Sequence, residues 1–328
     1  MTTVQERPAA RGRRRPDGLQ ALVGLAAVLL LLRPVLQDLL DGPAIGAWAT
    51  VFASICLQAM PFLVLGVLVS GAITAFVPPS VFTRVLPRNQ ALAVPVAGAA
   101  GVLLPGCECG SVPVAGGLMD RGVPTSAALT FLLAAPAINP IVLVATAVAF
   151  PGRPEVVLAR FGASLLAAVV IGWLWVRPGR ETWITRRARA HVHGESRWEV
   201  FRATGKHDFL HAGGFLVLGG ITAATLNVTV PREVYVAVAD DPVLSVLALA
   251  ALAVVLAICS EADAFVAASL TEFSGTALLA FMVVGPMVDV KLVALQSGAF
   301  GKAFAARFAP VTFVVAVLSA VGVGSLLL

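Results

Sequence analysis

Charge is scarce in this chain: 12% of its 328 residues are Asp, Glu, Lys or Arg, while 59% are Ala, Val, Ile, Leu, Met, Phe, Trp, Tyr or Cys. Soluble domains carry about twice that share of charge, so the polar groups needed to clothe a water-facing surface are missing. Tyrosine occurs once and cysteine four times, too few thiols for a disulfide scaffold of this length. The 30 glycines follow no three-residue period, which excludes collagen, and the apolar content excludes intrinsic disorder. The spacings H-E-x-x-H, G-x-S-x-G, G-x-x-x-x-G-K-[ST] and C-x-x-C are all absent. A zinc protease, a serine hydrolase, an ATP-driven pump and a thioredoxin-type centre therefore lack their signatures.

Long apolar runs are what the chain does have, and the mean hydropathy is +0.93. A membrane-spanning helix needs about 20 mainly apolar residues. Runs of that kind cover Leu19 to Leu40, Trp48 to Val77, Ala91 to Leu118, Thr125 to Phe150, Val156 to Val176, Phe209 to Val230, Pro242 to Leu270, Gly275 to Phe300 and Ala305 to Leu328. Several hold internal Pro, Gly or acidic residues, which predicts broken helices. The fold class is all-α, a polytopic transmembrane helix bundle.

The bases cluster. Arg7, Arg11, Arg13, Arg14 and Arg15 precede the first apolar run, and Arg177, Arg180, Arg186, Arg187, Arg189, Arg197, Arg202 and Lys206 fill the middle of the chain. Beside apolar spans, such clusters mark cytoplasmic segments rather than nucleic-acid sites. The N-terminus and central linker are placed inside a bacterial plasma membrane. No small-residue cleavage site follows the first apolar run, so it is read as an uncleaved helix.

An internal repeat organises the rest. Phe62-Leu63-Val64-Leu65-Gly66 recurs as Phe215-Leu216-Val217-Leu218-Gly219; Cys107 to Leu118 lies over Cys259 to Leu270 at an offset of 152; Phe131 to Asn139 lies over Phe281 to Asp289 at an offset of 150. Loop charges orient the halves oppositely, giving two inverted repeats with a midplane site at their interface. The expected organisation is a basic arm over 1–18, a first helix and loop over 19–46, repeat 1 over 47–176, a basic linker over 177–208 and repeat 2 over 209–328. An inside linker requires 91–176 to cross an even number of times. The segments around Pro136/Asn139-Pro140 and Pro286/Asp289 are therefore expected to be re-entrant hairpins.

Three clusters carry chemistry. In Pro105-Gly106-Cys107-Glu108-Cys109-Gly110-Ser111-Val112-Pro113, proline and glycine predict unwound backbone at membrane depth, where two thiols flank a carboxylate. Its repeat partner is Cys259-Ser260-Glu261-Ala262-Asp263. Glu108, Glu261, Asp263 and Asp289 would together cost on the order of 10 kcal/mol if they faced lipid, so they are placed inside the bundle. Cys107, Glu108, Cys109, Cys259, Glu261 and Asp263 are the candidate metal-binding residues. Thiolates favour Cu(I), Zn(II) and thiophilic metalloids, while carboxylates add charge or carry protons. The third cluster is Pro136, Asn139 and Pro140 with Pro286, Asp289 and Lys291, helix breaks that line a path. Lys291 is read as a gate, as a counter-ion to Asp289 or Glu261, or as a lysine reaching out from a hairpin end. Cys56 is read as packing, and His191, His193, His207 and His211 as solvated linker and helix start.

At Cys107-Glu108-Cys109-Gly110-Ser111-Val112-Pro113, followed by Phe131, Pro136 and Asn139-Pro140, the chain resembles the bacterial predicted-permease family that includes YraQ and the organoarsenical efflux permease ArsP. The resemblance runs from about residue 48 to the end. It implies a multi-span inner-membrane permease and, for ArsP-like members, efflux of trivalent organoarsenicals by cysteines. Those members read C-S-C-G where this chain has Glu108, and Cys259-Ser260-Glu261-Ala262-Asp263 sets it in a subgroup that looks paired with a second membrane subunit. The added carboxylates favour a cationic metal as substrate. The expected function is thus a secondary permease and not an enzyme, with no resident cofactor. A membrane thiol oxidoreductase using Cys107 and Cys109, and a non-transporting subunit of a two-component complex, are the alternatives.

Overall fold

The computed structural model describes residues 43–78, 81, 86–87, 89–103, 108–176, 184, 196–229 and 241–328. The expected first helix, Leu19 to Leu40, and the arm before it lie outside the described residues, as do Pro105, Gly106, Cys107, His191 and His193. The chain divides into a unit Met1–Ala47, described only where a helix opens at Pro43, and a unit Trp48–Leu328 that holds all the features below.

Among the described residues the regular structure is helical throughout. The first half comprises α1 (Pro43–Phe76), α2 (Gln90–Ala100) extended by a 3-10 turn (Gly101–Leu103), α3 (Glu108–Asp120), α4 (Thr125–Ile138), α5 (Pro140–Ala149) and α6 (Pro154–Leu174). The second comprises α7 (Arg197–Thr229), α8 (Pro242–Leu256), α9 (Asp263–Ser269), α10 (Gly275–Val284), α11 (Val290–Phe300) and α12 (Lys302–Leu327). Local chemistry sets the starts. Asn89, Asp241 and Ser274 accept first-turn amides, and Pro140, Pro154 and Pro242 occupy the first turn, where a missing N–H costs nothing. Helix α7 begins at Arg197, inside the segment expected to be linker.

Four stretches, Ile45–Phe76, Thr125–Ala149, Pro154–Leu174 and Lys302–Leu327, are long and apolar enough to cross a membrane. Leucines on their outer faces, such as Leu57, Leu318 and Leu326, are exposed, the expected condition of side chains that meet lipid.

Packing relocates the hairpins. Thr130 of α4 lies against Gly172 at the end of α6, whereas Thr146 of α5 receives Arg160 from the start of α6 at 2.9 Å. The pair α4–α5 therefore runs beside α6 from Arg160 to Gly172, about 18 Å at 1.5 Å per residue, as one broken crossing. In the second half Thr276 of α10 abuts Gly324 near the end of α12, and the Phe300 ring meets Phe304 near its start at 5.5 Å. The pair α10–α11 is likewise a broken crossing, so the breaks at Asn139 and Asp289 are not re-entrant.

The re-entrant elements are the cysteine segments instead. Gly98 packs beside Thr130 and Gly101 beside Ala134 and Ala135, so α2 runs parallel to α4. Helix α3 returns antiparallel to α4 through the short turn Arg121–Pro124, with Gly122 at φ 83°. The run expected as a single span from Ala91 to Leu118 thus has its two ends, α2 and α3, side by side as the limbs of a hairpin. Helices α8 and α9 repeat the device around α10. Gly285, at the end of α10, faces both Ala253 near the end of α8 and Asp263 at the start of α9. Among the described residues, 91–176 holds two stretches long and apolar enough to cross, Thr125–Ala149 and Pro154–Leu174, the even number its loop charges require.

The halves meet antiparallel. Between α1 and α7, Trp48 Nε1 donates to Thr225 Oγ1 at 3.0 Å, Ser70 Oγ donates to Asp208 Oδ2 at 3.1 Å, and the Phe76 and Phe201 rings lie 6.1 Å apart. Between α6 and α12, Gly162 faces Val323 while Trp175 packs edge-on against Phe304 and Phe308. An odd number of crossings per half reverses the second copy, which is how a duplication becomes an inverted pair.

Candidate functional site

The start of α3, the turn between α8 and α9 and the two helix breaks come together in the core. Asn139 and Asp289 do the same local work at equivalent positions: Asn139 Oδ1 accepts the Val142 amide and caps α5, and Asp289 Oδ1 accepts the Leu292 amide and caps α11. Both are fully buried. Pro140 takes the first turn of α5, and Pro286 sits in the turn between α10 and α11. Pro136 does not mark the break; it lies inside α4, which continues to Ile138. Pro113 and Gly110 are also helical, within α3, so the unwound stretch expected to reach Pro113 ends by Glu108.

Glu108, the first residue of α3, is fully buried and accepts from Lys291 Nζ at 2.6 Å. Lys291 also donates to the Ala257 carbonyl at 3.2 Å and lies 3.6 Å from Asp289 Oδ2. Its closest acid is therefore Glu108, with Asp289 second; Glu261 shares its electrostatic surroundings without a direct bond among the described residues. The expected lysine reaching out to the membrane edge is overturned, because Lys291 is wholly enclosed. Its hold on the hairpin tip uses an unusual backbone. Ala257 ends α8 at φ 49°, ψ 42°, a left-handed conformation that a non-glycine residue adopts at some cost.

A second ion pair faces the first. Asp263 Oδ2 accepts from Arg160 Nη2 at 2.7 Å; the same guanidinium donates to the Ser260 carbonyl at 3.1 Å and to Thr146 Oγ1 at 2.9 Å. Arg160 has no exposure. It was absent from the candidate residues. Its signal was a lone base four residues into an otherwise apolar run, opposite in sign to the buried acids Glu108, Asp263 and Asp289 and the half-buried Glu261.

The thiols of Cys109 and Cys259 both lie within electrostatic reach of the Lys291 ammonium. The structure thus gathers Glu108, Cys109, Cys259, Glu261, Asp263, Asp289 and Lys291 and adds Arg160. Cys107 lies outside the described residues. No three His, Cys, Asp or Glu side chains among the described residues meet at metal-holding distance. Glu108 Oε2, Glu261 Oε1 and Asp263 Oδ1 are buried without a hydrogen-bond donor among the described residues, so the cluster keeps acceptor capacity beyond its two ion pairs.

Glycines let the helices close on this cluster. Gly66 presses on the Gly110 backbone and Gly219 on Lys291 Cα, where an added Cβ would collide. These are the matching final residues of the two Phe-Leu-Val-Leu-Gly repeats.

Broken crossings, hairpins from both halves and a charged core define a polytopic membrane permease. The chain belongs to the family described as Predicted permease, which matches residues 45–324. It is 37% identical over 285 residues to the UPF0718 protein YcgR of Bacillus subtilis (strain 168), covering 85% of this chain and 95% of that protein. It is 32% identical over 282 residues to a putative two-component membrane permease complex subunit of Streptococcus mutans serotype c (strain ATCC 700610 / UA159), covering 84% and 94%. No solved structure matches it.

Proposed function

We propose that this permease is a secondary transporter of a thiophilic metal ion or metalloid, translocated through the cluster where the start of α3 meets the turn between α8 and α9. The observation that carries the reading is the convergence of two thiols, four carboxylates and two cations from both halves on one enclosed place. Ions enclosed this way persist only when paired, and in membrane proteins they mark transport paths. Glu108 and Asp263 are each engaged by a cation of the other half. A cationic substrate reaches them by displacing Lys291 or Arg160, which makes binding an exchange of one positive charge for another. The thiols then favour soft ions over magnesium or calcium.

The basic segments orient the N-terminus to the cytoplasmic side of a bacterial plasma membrane. A second membrane subunit as partner is supported by the Streptococcus mutans relative, itself named as a subunit of a putative two-component membrane permease complex. The chain carries no catalytic role in this reading.

Elemental mass spectrometry of cells expressing the wild type or Glu261→Ala tests it, with zinc, copper, cobalt, cadmium, arsenite and methylarsenite given in parallel. One element is expected to change with the wild type and to revert in the variant, the sign giving direction. If no element moves in cells or in liposomes holding the chain with its partner, the metal reading falls.

A further inference from the structure

A cavity of about 60 Å³ lies between α3, α7 and α11, apart from the charged cluster yet on the same helix faces. Val112 and Gly116 line it from α3, four and eight residues after Glu108; Leu295 and Ala299 line it from α11, four and eight residues after Lys291. Residues spaced by four share a helix face. The cavity therefore continues, along both helices, the line on which the ion pair sits.

The third wall is polar. His207, Asp208 and His211 of α7 all line the cavity, with Phe215 one turn deeper. The imidazoles of His207 and His211 stand at i and i+4 with ring centroids 5.9 Å apart. His211 Nε2 is buried and meets no hydrogen-bond partner among the described residues. Asp208, nearly enclosed, lies 3.4 Å from His207 Nδ1 and accepts from Ser70 of α1. Both histidines lie within α7 rather than in a linker or at a helix start; His207 remains 45% exposed at the cavity's edge, while His211 is half-buried.

We propose that His207 and His211 form a docking point for a divalent transition-metal cation in this cavity, one stage out from the Glu108–Lys291 pair. Two imidazoles at i and i+4 on one face are a recurring transition-metal grip, and imidazole suits zinc, copper, cobalt and nickel. The nearby Asp208 carboxylate supplies opposing charge, and water fills the remaining coordination positions. The proposal rests on the transport reading for its purpose and narrows the substrate class: a borderline divalent cation uses this station, whereas an uncharged organoarsenical finds no ligand in it.

The chain holds four histidines, so replacing His191 and His193 by alanine leaves only the cavity pair. In that background, purified without a histidine tag, zinc titration calorimetry is expected to show a binding event that weakens at least tenfold in His211→Ala and in His207→Ala. The event is expected to remain in Glu261→Ala and Cys259→Ser, which separates it from the charged cluster. Should the histidine variants misfold, residue-resolved mass spectrometry of diethylpyrocarbonate labelling on the parent is expected to show zinc protecting His207 and His211 together. Unchanged affinity in both variants, no zinc binding by the parent, or unprotected histidines would overturn the proposal. Zinc bound at the pair while no element is transported would uphold the docking point and remove the transport reading; transport without zinc at the pair would do the reverse.

Discussion

The two halves share a scaffold but not their charges. Asn139 and Asp289 hold the same cap in equivalent breaks, and Gly66 and Gly219 make equivalent close approaches. At the offset of 150, however, Lys291 corresponds to Ile141, and counted from the helix starts Arg160 of α6 corresponds to Phe308 of α12. Each half keeps a cation the other lacks and spends it on the other's acid: Arg160 on Asp263, Lys291 on Glu108. Symmetry therefore builds the enclosure, and departures from symmetry bind its halves to one another.

The largest expected effect follows from breaking one of these bridges. Lys291→Met strands Glu108 and Asp289 in the interior, and removing one partner of a buried pair costs about 3–5 kcal/mol. Thermal unfolding in detergent is expected to show the loss, and the double variant Lys291→Met/Glu108→Gln to recover most of it. Arg160→Met is expected to cost somewhat less, about 3 kcal/mol, because the nearby Thr146 hydroxyl already donates to the Val142 carbonyl and stays satisfied. Pairing it with Asp263→Asn should restore stability; no recovery in either double variant would show that the bridges do not hold the halves.

A smaller effect tests the shared scaffold. Gly66→Ala and Gly219→Ala each force a backbone apart, at about 1–3 kcal/mol, and the two should be similar if the halves are equivalent. Smallest is the cap. Asn139→Ala should cost about 1 kcal/mol, whereas Asp289→Asn keeps the cap and should change stability by less than about 1 kcal/mol. A large loss in Asp289→Asn would mean that its charge beside Lys291, rather than its cap, holds the break.

Much of this was legible in sequence because buried charge is conspicuous against an apolar background. Glu108, Glu261, Asp263 and Asp289 stand out for that reason, and the register of Asn139 over Asp289 needed only the repeat. Arg160 did not stand out, since a base near a helix start looks like an ordinary membrane-edge residue until Asp263 and Ser260 are seen to surround it. The hairpins were misplaced for a different reason. A 28-residue apolar run such as Ala91 to Leu118 has the length of a crossing, and only its packing on α4 shows that it turns back. The His207 and His211 pair sits in a basic segment whose composition resembles a solvated linker, though α7 carries it into the bundle from Arg197.

The antiparallel pairing of α1 with α7 and of α6 with α12 has an energetic consequence for alternating access. When two halves are related by a two-fold axis in the membrane plane, any conformation in which they differ slightly in shape has a partner in which the shapes are exchanged. That partner faces the opposite side of the membrane. For identical halves the two would be equally populated, and neither direction would be the resting one. Here the halves differ at most aligned positions, two of nine being identical between Phe131–Asn139 and Phe281–Asp289, and the unmatched charges of Arg160, Lys291 and Asp289 are among the residues that separate the two in energy. On the proposed transporter reading, the side that the empty protein faces is then set by the residues in which the halves differ, and substitutions at Arg160 or Lys291 are expected to shift it.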